Sequence, residues 1–317
     1  MRLLVHATLM RYALAVLSLS LGPAYGGEDL VATVASQSGE FAGLLDTASD
    51  PDGTTFYFTG ISPSGPAVFK VASTGGQATV VFAGAPFVSP TGIAVSGDGR
   101  QLYVADPRVW AGPGRLGQIF VLPVGGGRPQ PLRGADGGNA RGIEIVSEGG
   151  QETVYYTGSF KSGTSGIYKI ASTGADGPTV VFEGAPIVNA DSVAVSRAGV
   201  VYFTDLGDSD NPGSVGKIEG GVVSSVVDSV RLGHPAGIAL SLDESYIAIS
   251  SLQPYKNRAQ VLSVDLVTFE VSATTNGLPP NPGPAGLHRA RNAPIFAWAD
   301  MSYPMPPGVI IFKIMRR

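Results

Sequence analysis

Apolar residues along this chain come in short bursts that alternate with polar ones and stop at Gly, Asp, Asn or Pro. Gly92-Ile93-Ala94-Val95-Ser96 is a typical burst; the turn Gly97-Asp98-Gly99 follows, and then Leu102-Tyr103-Val104-Ala105-Asp106. A two-residue alternation rich in Val, Ile, Tyr and Phe and bounded by turn formers predicts half-buried β-strands joined as hairpins. Outside the N-terminus no segment keeps a 3.6-residue period, so the expected class is all-β with helices nearly absent.

The bursts repeat. Val68-Phe69-Lys70-Val71-Ala72-Ser73-Thr74-Gly75 returns as Ile167-Tyr168-Lys169-Ile170-Ala171-Ser172-Thr173-Gly174. Val80-Val81-Phe82-Ala83-Gly84-Ala85-Pro86 returns as Val180-Val181-Phe182-Glu183-Gly184-Ala185-Pro186. A shorter unit lies inside this spacing, with starts at Asp46, Gly92, Gly142, Ser192, Gly237 and Gly286, 45 to 50 residues apart. That is the length of a propeller blade, and each unit has room for four strands; in the second they are expected near 92–96, 101–106, 117–122 and 129–133. The sixth unit ends after the strand Gly308–Ile314 and lacks a fourth, while Leu30–Ala35 precedes the first unit with no blade of its own. Pairing the two completes the sixth blade, so the predicted fold is a six-bladed β-propeller closed by its N-terminal strand.

The repeat Pro90-Thr91-Gly92-Ile93-Ala94-Val95-Ser96-Gly97-Asp98-Gly99, followed by Leu102-Tyr103-Val104-Ala105-Asp106, resembles the NHL and SMP-30/gluconolactonase-like propellers over essentially the whole mature chain. The metal-dependent lactonases in that group hold a divalent cation with carboxylate and Asn side chains placed just before the inner strands. The resemblance therefore implies a hard cation in an oxygen cage that polarises a lactone carbonyl. The residues at those places here are Leu45, Thr91, Arg141, Asp191, Ala236 and Ala285, and only Asp191 fits the pattern as a metal ligand.

Composition narrows the setting. The 317 residues include 44% hydrophobic and only 15% charged side chains, which argues against disorder, with Gly 44 and Pro 24 supplying turns. A net charge of −4, with no basic run among aromatics, excludes a nucleic-acid partner. Residues 1–26 read as a secretory signal: Arg2 and Arg11, the apolar run Tyr12–Leu21, and the small-x-small site Ala24-Tyr25-Gly26. Met10 or Met1 is the initiator. The mature domain is then 27–317, secreted or periplasmic, and without a membrane span because no apolar run is long enough. Cysteine is absent, so disulfides, thiolate metal sites and cysteine nucleophiles are excluded.

Strand order sends the short turns 97–99, 197–199 and 242–244 to one face of the disc, and the longer, varied connections between strands 2 and 3 to the other. Variable loops on a rigid scaffold carry binding, so the second face, with Trp110 and Tyr303 in its loops, is the expected docking surface for a small molecule, a glycan or a protein. Arg141 and Asp191 start adjacent blades there, as an ion pair or as ligand-binding groups; an arginine at the mouth suits an anion. The third residue of the inner strand is Ala48, Ala94, Ala194 or Ala239 in four units but Glu144 and His288 in the third and sixth, which face each other in a six-fold ring. A carboxylate and an imidazole that break an alanine rule are candidates for a general base and its partner. Asp205–Asn211 is an oxygen-rich loop at which calcium is the candidate ion; no other cofactor is expected. HExxH, G-x-S-x-G and P-loop motifs are absent. Two functions stand: a non-catalytic ligand- or protein-binding propeller, and a metal-dependent lactonase or esterase at the axial channel.

Overall fold

The computed structural model describes residues 30–38, 43, 45–107, 117–159, 163–208, 212–256, 258–275, 278, 283–300 and 309–316. The expected signal, Trp110 and Tyr303 lie outside the described residues. Every element assigned among them is a β-strand, and no helix there is long and apolar enough to cross a membrane.

The strands form six separate antiparallel sheets, one for each predicted unit. In the second blade the strands are Ile93–Val95, Gln101–Asp106, Gln118–Pro123 and Gln130–Pro131, within a residue or two of expectation. The sixth sheet runs Pro284–Arg289, Ile295–Asp300, Val309–Arg316 and then Leu30–Ser38, so the N-terminal strand closes the ring as its outermost member. The pairing is antiparallel from Leu30 opposite Arg316 to Ser38 opposite Val309, with a bulge between Val34 and Ser36. Blade 5 departs from the four-strand plan: Arg231–Leu232 adds a short strand against Ser251 and Leu252, beside the inner strand Ile238–Leu240.

The core follows from this plan. A blade is a sheet with two apolar faces, so apolar side chains pack in the gaps between blades, each gap holding its own cluster. Phe56, Phe58 and Phe69 of blade 1 meet Ala285, Ala297 and Ala299 of blade 6, and Trp298 stacks on Phe312 at 5.0 Å in the gap between blades 5 and 6.

A hydroxyl device ties the blades together near the axis. Thr157 Oγ1 accepts the Gly142 N–H of its own blade at 3.0 Å and donates to the Asp191 carbonyl of the next at 2.7 Å. Thr59 repeats this between Asp46 N–H (3.2 Å) and Thr91 O (2.8 Å), and Ser250 between Gly237 N–H (2.8 Å) and Ala285 O (2.7 Å). Blade 2 has Ala105 at that place, and Thr91 substitutes by bonding Ala105 O (3.3 Å) and Arg141 O (3.4 Å). These bonds satisfy backbone groups that the inner strands would otherwise bury unpaired.

The aspartates closing the second strands serve the same end. Asp106 accepts from Val88 and Ser89 N–H (2.8 and 3.0 Å), and Asp205 from Val188, Asn189 and Gly207 N–H, each at 2.8 Å. The repeated Asp is thus part of the architecture, fixing the segment that leads into the inner strand.

Candidate functional site at the ring axis

The inner strands bring one polar group to the centre. His288 of blade 6 and Glu144 of blade 3 meet across the axis, His288 Nδ1 lying 3.4 Å from Glu144 Oε2. The other ring nitrogen, Nε2, is 3.1 Å from Asp46 Oδ2 of blade 1. Asp46 in turn accepts the backbone N–H groups of Ile93 (3.0 Å) and Thr47 (2.9 Å). Asp46 stands where four other blades start with glycine. The neighbouring Gly286 has to be one, because a Cβ there would lie 1.6 Å from Asp46 Oδ1.

His288 and Asp46 are buried, whereas Glu144 is 32% exposed. Burial would lower the His288 pKa, but the Asp46 charge, its hydrogen bond and the contact with Glu144 outweigh it and raise the value to about 10. Near neutrality the ring is therefore an imidazolium held between two carboxylates, with both N–H groups engaged.

This group forms the floor of a cavity of about 560 Å³ lined by all six blades. Ser49, Ser96, Ser147 and Ser196 are in its wall, with Arg197, Arg289 and Arg291. The carboxylates around it are matched by cations: Glu148 by Lys169 (3.3 Å), Glu244 by Arg197 (3.0 Å) and Glu152 by Arg291 (3.9 Å). Arg289, its pKa lowered by burial, donates Nε–H to Leu240 O at 2.7 Å and Nη1 to Arg291 O at 2.9 Å. Ser49 Oγ is buried with no hydrogen-bond partner. The lining residues Arg197, Gly199, Leu242 and Glu244 belong to the short turns, so the cavity opens on the face opposite the varied strand 2–3 connections.

No family model matches the chain, and no curated protein matches it in sequence. Its fold is found in solved structures. The PQQ-bound aldose sugar dehydrogenase from Streptomyces coelicolor superposes with a TM-score of 0.61 at 14% identity, covering 93% of this chain and 100% of that one. Regucalcin from Agrobacterium tumefaciens, a calcium-binding protein, gives 0.57 at 14%, covering 90% and 98%. A chain of the nidogen/laminin complex gives 0.57 at 15%, covering 78% and 85%. At such identities the likeness is one of fold: a six-bladed propeller whose relatives in shape include binding proteins and an enzyme.

The second polar cluster lies at the other mouth. Arg141 does not pair with Asp191. Its guanidinium donates to the Asn189 side chain, while Asp191, fully buried, accepts Ala236 N–H at 2.5 Å and faces His234 Nδ1 at 3.5 Å. Oδ2 is thus held by blade 5 while Oδ1 is buried without a hydrogen-bond partner, and the equivalent positions in the other blades add no second acid or imidazole. Among the described residues no group of three His, Asp or Glu side chains is spaced to hold a metal ion. This donor set does not fit a divalent cation in an oxygen cage. In the acidic loop, Asp205 is occupied by three backbone N–H groups, and residues 209–211 lie outside the described residues.

Sequence reasoning brought Glu144 and His288 together and missed Asp46 and His234. Asp46 could have been found as the acid that breaks a glycine rule at the blade starts.

Proposed function

We propose that this chain is an exported, non-catalytic binding protein whose axial cavity takes a small polar ligand of no net charge. The observation that carries this reading is the cavity itself: about 560 Å³, with each bordering carboxylate already matched by a cation. Its size is in the range of small-molecule sites; a cationic ligand would have to draw a carboxylate out of an existing pair, and Arg289 already donates to backbone carbonyls. Export rests on the N-terminal sequence pattern.

The alternative, a lactonase or esterase, draws on the contact between Glu144 and His288. An imidazolium with both N–H groups engaged has no lone pair with which to take a proton, so a base here would have to be Glu144, which His288 already holds at 3.4 Å.

A panel of neutral polar metabolites, screened by thermal shift on the mature chain and on Ser147→Trp, separates these readings. Ser147 is exposed at the cavity wall, so the indole narrows the cavity at little cost to the fold. A ligand that raises the melting temperature of the wild type and not of the variant supports the proposal; an equal shift in both refutes it. Turnover of a lactone or ester that vanishes in Glu144→Gln would establish the enzyme instead.

A further inference from the structure

We propose that the mouth opposite the cavity is an oxyanion site, in which Arg141 and His234 together grip a carboxylate or phosphate group. This site is separate from the axial cavity and does not depend on the reading given to it.

The argument begins with an imbalance of charge. Arg141 starts blade 3, and its backbone is fixed: N–H to Thr157 O at 2.9 Å, and the carbonyl under the Thr91 hydroxyl at 3.4 Å. Its guanidinium is oriented by the neutral Asn189 side chain and makes no ion pair among the described residues. Two residues after Asn189, Asp191 Oδ1 lies 3.5 Å from His234 Nδ1, with the Asp191 side chain 0% and the His234 side chain 66% exposed. Nε2 is then the ring nitrogen left for a ligand. The Asp191 carboxylate raises the His234 pKa, while burial and the Arg141 charge oppose it.

A guanidinium and an imidazole thus flank the three-residue segment 189–191, and the one carboxylate there is shared with a backbone N–H. An arginine whose side-chain partner is a neutral amide keeps its full charge for an anion. An oxyanion there gains charge-assisted hydrogen bonds from a planar guanidinium fork and from an imidazole edge. Both anchors, Asn189 and Asp191, belong to blade 4, so the geometry is preorganised before a ligand arrives.

Inorganic phosphate and, in a second arm, acetate are titrated into the mature chain at constant ionic strength made up with chloride, with binding read by calorimetry and melting temperature. The expected result is saturable binding of at least one of them, weakened roughly tenfold or more in Arg141→Gln and partly kept in Arg141→Lys, which preserves the charge and loses the fork. His234→Gln is expected to weaken it less, and Ser147→Trp, at the other mouth, not at all. The arm that binds more tightly tells phosphate from carboxylate. Absence of saturable binding in both arms, or an Arg141→Gln variant that folds and binds like the wild type, overturns the proposal.

Discussion

Replacing His288 with Gln is expected to remove a fall in stability that the wild type shows above neutral pH. The folded imidazole, held between Asp46 at 3.1 Å and Glu144 at 3.4 Å, has its pKa raised to about 10. In the unfolded chain it returns to about 6.5. Between these values the folded state keeps a proton that the unfolded state has lost, so unfolding releases it and stability declines as pH rises. The contribution is complete below about pH 6.5 and is lost as pH climbs through about 10. One proton gives a slope of about 1.4 kcal/mol per pH unit, and a ceiling on the order of 5 kcal/mol over the whole window. From about pH 7 to 9 the wild type should therefore lose about 2 kcal/mol more than the variant. Gln keeps an N–H donor for Asp46 but does not titrate. At neutral pH the variant starts lower, by about 3–5 kcal/mol, because the buried Asp46 has lost its counter-charge. The two curves should then converge toward high pH. Urea unfolding followed by the fluorescence of the buried Trp298 measures both, and His234, present in both chains, cancels in the difference. Parallel curves would mean that the ring is neutral in the fold, and the reading of the axial group as an imidazolium between two carboxylates would fail.

Two further outcomes test the ring. Thr157→Val keeps the shape but removes the hydroxyl that joins Gly142 N–H to Asp191 O, and should cost about 1–3 kcal/mol with an unchanged denaturant slope. Gly286→Ala puts a carbon 1.6 Å from Asp46 Oδ1 and should cost more than about 4 kcal/mol or abolish soluble protein, while Gly150→Ala, in open space at φ +82°, costs about 1 kcal/mol; melting temperatures rank the three chains.

The blades were legible because each unit repeats one alternation and one turn, and an alternation fixes which face of a strand is buried. Ring closure was legible because the sixth unit lacked a fourth strand and Leu30–Ala35 had no blade of its own. Glu144 and His288 could be read as neighbours because their blades are three steps apart in a ring of six. The cavity was not legible. Its wall comes from short, uniform turns of all six blades, while reading loops for variation points to the other face.

The expected pairing of Arg141 with Asp191 failed for a reason that applies around the whole ring. Aligned positions on adjacent blades suggest that side chains face each other, yet at this level they lean one way. Thr59 bonds forward from blade 1 to blade 2, Arg141 and Thr157 from blade 3 to blade 4, Asp191 from blade 4 to blade 5, and Ser250 from blade 5 to blade 6. Asp46 follows the same sense in reaching Ile93 N–H of blade 2. A side chain from one blade therefore meets the segment just before the next inner strand, and Arg141 and Asp191, equivalent on adjacent blades, do not close on each other. Arg141 reaches Asn189, and Asp191 has already turned toward Ala236 and His234. That common lean turns Arg141 toward the neutral Asn189, so that among the described residues it pairs with no acid, and turns Asp191 toward His234 instead.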